Sequence, residues 1–306
     1  MLAVNEFALI DRFVRCFDVA RAPFGPGDDA AVIETRAGLE VVTTDALVEG
    51  VHFTRETFSF EDVGHKALAV NLSDVAAMGA WATWFTVALG LPRDVGVREV
   101  VALGRGMSRL AEVHGARLVG GNVTSASELS VTITVAGQVR GRGGPLLRSG
   151  GREGDLLFVS GPLGDAAGGL LALKRGVRTG ALVRAQRRPS PHLAFAHVAR
   201  GLLTSAIDVS DGLLQDLGHV LKASGVGAEL EAGRLPISEA LRGFAGERAL
   251  ELALSGGEDY VLLCSAPARH RAALARLGAF EIGRLIAGAG VRLDGKAISP
   301  RGWQHR

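Results

Sequence analysis

Six short stretches of this chain set acids, hydroxyls and glycines where a hard cation could be held. Gly25-Pro26-Gly27-Asp28-Asp29-Ala30-Ala31 places two adjacent carboxylates among glycines and small residues. Carboxylate oxygens ligate Mg²⁺, and glycine lets the backbone turn tightly around such an ion. Val41-Val42-Thr43-Thr44-Asp45 reads as an apolar strand running into two hydroxyls and an acid, with Gly50-Val51-His52-Phe53 close behind. Strand ends are where α/β proteins build sites. In Lys66-Ala-Leu-Ala-Val-Asn71-Leu-Ser73-Asp74, Asn71 and Asp74 share a helix face in apolar surroundings, which leaves the carboxylate needing partners or a metal. Gly120-Gly121-Asn122 follows the short strand Arg117-Leu118-Val119 and reads as a turn whose N–H groups approach a phosphate. In Ile207-Asp208-Val209-Ser210-Asp211-Gly212, Ser210 reads as a helix N-cap and Asp211 as a first-turn acid, while Asp208 has no such structural account. The sixth stretch is Ser255-Gly256-Gly257-Glu258-Asp259-Tyr260.

Singly, each stretch reads equally well as a solvated turn, a strand-ending acid or a helix cap, and His52 as a hydrogen-bonded structural histidine. Together they set Asp28, Asp29, Asp45, Asp74, Asp208, Asp211, Glu258 and Asp259 in similar loop-proximal settings. Several carboxylates with glycine turns and hydroxyls point to a polyphosphate site holding more than one Mg²⁺. The chain has no G-x-x-x-x-G-K-[ST], so a nucleotide would be held without a P-loop lysine, and neither G-x-S-x-G nor H-E-x-x-H occurs.

The elements that must position these residues are partly visible. Helices are expected over 5–17, 60–79, 97–114, 164–175, 190–202, 211–223 and 267–277. Strands are expected over 39–44 (ending at Asp45), 81–91, 116–119, 129–139, 155–160, 227–231, 260–265 and 279–286. The clearest strand signal alternates Leu129, Val131, Ile133 and Val135 with Ser130, Thr132 and Thr134. The Gly/Arg-rich run from Arg140 to Gly154 reads as a boundary, giving an N-terminal domain at 1–147 and a C-terminal α/β domain at 148–306. Strands and helices interleave in both halves, so the class is α/β or α+β.

Length and composition narrow the function. At roughly 150 residues per domain, 306 residues make about two domains, and 47% hydrophobic with 22% charged residues is a globular composition. A net charge of +2 without basic blocks selects against nucleic acid. Cys16 and Cys264 lie far apart in apolar settings and read as small buried thiols. The segment Met1–Glu6 lacks a basic region and apolar core, and no run of about 18 uncharged apolar residues occurs, so a soluble cytoplasmic protein without a membrane span is expected.

In their order along the chain, these segments resemble the bacterial thiamine-monophosphate kinase family, within the aminoimidazole ribonucleotide synthetase superfamily. The resemblance rests on Gly27-Asp28-Asp29-Ala30, Thr43-Thr44-Asp45, Gly50-Val51-His52-Phe53, the run Lys66–Gly79, Gly120-Gly121-Asn122, Arg148-Ser149-Gly150, Arg188-Pro-Ser-Pro191, Ile207–Gly212 and Ser255–Tyr260. It implies transfer of the ATP γ-phosphoryl to thiamine monophosphate, assisted by several Mg²⁺ ions and without a covalent phosphoenzyme. It also implies metal ligands at Asp29, Thr43, Thr44, Asp45, Asp74, Asp208 and Asp211. Because joining two phosphates brings like charges together, Asp45 and Asp74 are expected to hold metal between the donor and acceptor phosphates. ATP contacts are implied at Gly121, Asn122, Arg148 and Ser210, and contacts to thiamine monophosphate at His52, Glu258 and Trp303. The implied architecture is a two-domain synthetase-like fold in which the N-terminal sheets of a homodimer pair into a barrel. Asn122 stands where the family usually has an acid; its neutral amide is the weaker Mg²⁺ ligand. A purine-pathway synthetase, a hydrogenase-maturation factor and a non-catalytic nucleotide-binding module are the competing readings, and turnover separates them.

Overall fold

A computed structural model describes residues 27–299 except 142, so the helix expected over 5–17, Cys16 and Trp303 lie outside the described residues. Five strands form the first sheet: β1 (Ala31–Thr35), β2 (Gly38–Val48), β3 (Trp81–Leu91), β4 (Arg117–Ser125) and β5 (Ser130–Gln138), in the order β1-β2-β5-β3-β4. Two helices accompany it, α1 (Phe60–Ala77) and α2 (Val97–His114), and α2 makes the crossover between the parallel neighbours β3 and β4. Alternation in β5 buries Val131, Ile133 and Val135 against α1.

Helix α1 is apolar almost all round and is correspondingly buried almost all round. It starts at a capping box: Asp62 N–H donates to Ser59 Oγ, and Ser59 N–H donates to Asp62 Oδ2, each at 3.2 Å. It crosses α2 at very close range through two glycines. A Cβ on Gly64 would lie 2.1 Å from the Leu103 carbonyl oxygen, and one on Gly106 2.1 Å from that of Glu61. Helix propensity alone would make Gly64→Ala stabilising by about 1 kcal/mol. The overlap reverses the sign, and a net destabilisation of about 1–3 kcal/mol is expected. A denaturation midpoint at or above that of the parent would refute this packing.

The second sheet has seven strands: β6 (Leu156–Val159), β7 (Ser205–Asp208), β8 (Gly227–Leu230), β9 (Leu262–Ala266), β10 (Phe280–Ile286), β11 (Val291–Leu293) and β12 (Lys296–Ile298), ordered β12-β11-β8-β10-β6-β9-β7. Around it lie α3 (Asp165–Lys174), α4 (Ala181–Arg187), α5 (Leu193–Ala199), α6 (Leu213–Ser224), α7 (Glu239–Ala245), α8 (Ala249–Ser255) and α9 (Arg271–Arg276). Cys264 is buried in β9, where the apolar surroundings push its thiol up to about 12.

Three local expectations are corrected. Strand β2 does not end at Asp45; its pairing with β5 continues to Val48↔Ser130, because Leu47 and Val48 extend the apolar run. Gly120 and Gly121 do not form a turn but lie within β4, in register with Thr86 and Val87 of β3. Gly121 suits that place, since a Cβ there would lie 2.2 Å from the Val87 carbonyl oxygen. Ser210 is not the N-cap of α6 and Asp211 is not its first-turn acid; Gly212 holds the cap position and Asp216 is the acid of the first turn.

Candidate active site

One cleft of about 470 Å³ opens between the two sheets, and residues from both line it. The middle of β2 contributes Thr43, Thr44 and Asp45; α1 contributes Asp74; the end of β7 contributes Asp208. Asp29 enters from the segment before β1, His52 from the segment after β2, and Arg148 from the segment before β6. Ser210, Asp211 and Glu258 come from two loops beside β7 and β9. Eleven of the residues implied by the resemblance therefore meet in one place. Gly121 and Asn122 do not line the cleft; they lie on the exposed edge strand β4, with β5 and β3 between them and β2.

The acids are crowded. Asp29, Asp74 and Asp208 can each offer one carboxylate oxygen within 4.8 Å of the others. Burial, reinforced by repulsion from Asp29 and Asp45, pushes Asp208 up to about 8, against the opposing hydrogen bond from Ser73 Oγ at 2.6 Å. Burial, then the Asp45, Asp208 and Asp29 charges, raises Asp74 well above the ordinary carboxylate range, although Thr43 Oγ1 donates to its Oδ2 at 2.6 Å. Asp29 is raised by burial despite Arg148, whose Nη2 donates to Oδ1 at 2.7 Å. The second Asp29 oxygen, Oδ2, is buried without a hydrogen-bond partner. Three hard oxygen donors destabilised by one another, with one oxygen unsatisfied, match the needs of a divalent cation.

Neighbouring groups hold the acids in place. Asp45 N–H donates to Asn71 Oδ1 (3.0 Å), and Asn71 Nδ2 is tied to the Ala67 carbonyl (3.0 Å), so the shared face of α1 pins β2 as well as presenting Asp74. The 208–212 loop turns around Asp216 of α6, whose Oδ2 accepts the N–H groups of Ser210, Asp211 and Gly212 at 3.0–3.1 Å. This buried carboxylate does the work assigned to a Ser210 cap, and its signal in the sequence is an acid four residues past Gly212 on an otherwise apolar face. The 255–260 loop is stitched to the same turn by Glu258 N–H to the Ser210 carbonyl (2.7 Å) and Tyr260 N–H to the Val209 carbonyl (2.8 Å). Glu258 and Tyr260 both adopt positive φ, at 71° and 52°, a conformation that non-glycine residues keep only where the surroundings impose it.

Two other features suit a phosphate bearing an organic group. Val48 N–H donates to His52 Nδ1 at 3.0 Å, so the neutral imidazole carries its proton on Nε2, where it is a donor. Leu47, Val51, Val70, Ala167 and Leu170 add an apolar wall beside His52 and Glu258, a wall that no motif in the sequence announced.

The fold and its acid-lined cleft define an AIR synthase related protein. The family model for the AIR synthase related protein N-terminal domain matches residues 27–139, and that for the C-terminal domain matches 152–296. The thiamine-monophosphate kinase of Aquifex aeolicus (strain VF5) is 35% identical over 310 residues, covering 99% of this chain and 98% of the relative. That of Escherichia coli (strain K12) is 40% identical over 286 residues, covering 89% and 86%. A solved structure described as AaThiL complexed with AMPPCP and TMP superposes with a TM-score of 0.91 at 34% identity, covering 100% of this chain and 99% of that one. The chain belongs to the thiamine-monophosphate kinase family. No helix among the described residues is long and apolar enough to cross a membrane.

Proposed function

We propose that the chain transfers the γ-phosphoryl group of ATP to thiamine monophosphate, releasing ADP and thiamine diphosphate. The observation that carries the reading is the convergence of Asp29, Asp74 and Asp208, from three separate elements, on a cleft that also holds Arg148, His52 and an apolar wall. The related structure with AMPPCP, a non-transferable analogue of ATP, and TMP supports both substrates. Asp29, Asp74 and Asp208 would hold Mg²⁺, with Thr43, Thr44, Asp45 and Asp211 completing further ligation. When bound, the ions neutralise the phosphates so that two polyanions can approach.

The chain's own residues supply position and charge. Arg148 and Ser210 line the ATP side, and the guanidinium now on Asp29 is also a donor for phosphate oxygens. The Nε2–H of His52 orients the acceptor phosphate, whose oxygen is already ionised at neutral pH, so no general base is assigned. The apolar wall receives the organic part of the acceptor. Glu258 contacts the acceptor beyond its phosphate, and Trp303 is assigned to the same substrate on the resemblance alone.

The exposed edge of β4, which carries Leu118, Val119 and Val123, suits pairing with a second copy. In such a homodimer, its sheets closed into a barrel, Gly121 and Asn122 would serve ATP from that edge. The division at 147/148 and a cytoplasmic location belong to the same reading. Incubation of the pure protein with ATP, Mg²⁺ and thiamine monophosphate is expected to yield one ADP per thiamine diphosphate. ATP recovered intact would overturn the assignment in favour of a binding module.

A further inference from the structure

Lys66 is among the largest fully buried side chains of the described residues, 0% exposed within an apolar stretch of α1. An ammonium group is several kcal/mol too costly in such a place unless it is paired. Its Nζ lies 2.5 Å from Glu258 Oε1 and 5.3 Å from the centroid of the Phe58 ring. The other carboxylate oxygen, Oε2, accepts from Gln186 Nε2 at 2.6 Å, and Gln186 on α4 is itself 1% exposed. A buried ammonium group and a buried amide, one from each half of the molecule, therefore hold one carboxylate from both sides, by an ion pair at Oε1 and a hydrogen bond at Oε2.

That carboxylate is not itself a buried structural acid. The Glu258 side chain keeps 26% exposure, and it lines the cleft. Each carboxylate oxygen has about two acceptor directions. Gln186 fills one direction on Oε2, Lys66 pairs with Oε1 by charge, and the carboxylate still lines the cleft. Lys66 also cancels the charge of Glu258, so the cleft meets an acceptor of fixed direction and little net charge. Such an acceptor suits a neutral N–H donor on a ring better than a cation. The positive φ of Glu258 shows that the same group is held against backbone strain.

We propose that Lys66 and Gln186 are positioning residues that aim the Glu258 carboxylate at a neutral N–H donor on the non-phosphate end of the acceptor substrate. The proposal rests on the function proposed above. Lys66→Met keeps the volume and leaves Glu258 to solvent, so the variant should fold. It should raise the KM for thiamine monophosphate about tenfold, the loss of one well-directed hydrogen bond. The kcat and the KM for ATP should stay within about threefold. Gln186→Leu, which removes the amide donor and leaves the ion pair intact, should shift the same constant in the same direction and serves if Lys66→Met does not fold. The double variant Lys66→Met/Glu258→Gln should be no worse than Glu258→Gln alone, because Lys66 acts only through Glu258. An unchanged KM for thiamine monophosphate in both single variants, a parallel rise in the KM for ATP, or multiplicative losses in the double variant would each overturn the proposal. A wild-type protein that does not turn over thiamine monophosphate would overturn the function and the positioning role together, whereas normal wild-type turnover with any of the former results overturns the positioning role alone.

Discussion

Asp45→Asn is expected to lose about 10³-fold in kcat while the protein melts within about 2 °C of the parent, a loss of the size seen when a transition-state charge partner is removed. Asp45 sits mid-strand in β2 with its side chain exposed to the cleft, so neither core packing nor strand pairing depends on its charge. Its backbone N–H, the group that bonds Asn71, survives the substitution. The amide preserves shape and removes one of the charges that raise Asp74. The folded state is thus spared some repulsion at the moment the cleft loses a carboxylate. Steady-state kinetics with thiamine monophosphate and Mg²⁺·ATP, paired with a melting curve, reads both effects. Turnover within about tenfold of the parent would remove Asp45 from the metal-holding set.

The second large effect runs the other way on stability. Asp208 is 2% exposed and sits within the cluster of three carboxylates. Its acid is held up at about 8, so the folded, metal-free protein keeps a proton that the unfolded chain gives up near pH 4. The folded state binding more protons means that stability falls as pH rises through this window, by at most about 1.4 kcal/mol per pH unit for one proton. Above pH 8 both states are ionised and the slope from this group ends. Asp208→Asn removes that slope yet can still accept from Ser73 Oγ. In EDTA at pH 8 it should therefore melt a few degrees above the parent, and at pH 5 the two should converge. Added Mg²⁺ should raise the parent's melting temperature more than the variant's, and the variant should be inactive. A variant that melts below the parent in EDTA at pH 8 would show that the cluster is not under electrostatic load.

Much of this was legible in the chain because burial leaves periodic traces. The alternation in β5 and the long apolar run of α1 were read close to their observed ends, since each has a face or a whole surface to hide. The acids of the cleft were found because carboxylates are out of place beside apolar strands. Strand β4 was missed past Val119 because an edge strand exposed along its whole length carries no inside–outside pattern, and its two glycines imitate a turn. Helices α4, α7 and α8 span seven residues each, under two turns, and length alone does not hide them, since the equally short α5 and the shorter α9 fall within the helices expected over 190–202 and 267–277. Asp216 and Lys66 escaped for a different reason. A lone charge in a helix reads as a solvated one, and only the tertiary fold brings the N–H groups of the 208–212 loop to the first and Glu258 to the second.

Helix α1 belongs by sequence to the first half of the chain, yet its side chains reach across to the second: Ser73 to Asp208, Lys66 to Glu258, Asp62 to Arg188, and His65 to the Pro189 carbonyl. A chimaera that kept this first half and took its second half from a distant relative would inherit α1 without its correspondents. Lys66 would then be a stranded charge and Ser73 a stranded hydroxyl. The two halves are thus bound to drift as one module, and any recombination between them must carry the face of α1 along with the loops it reads.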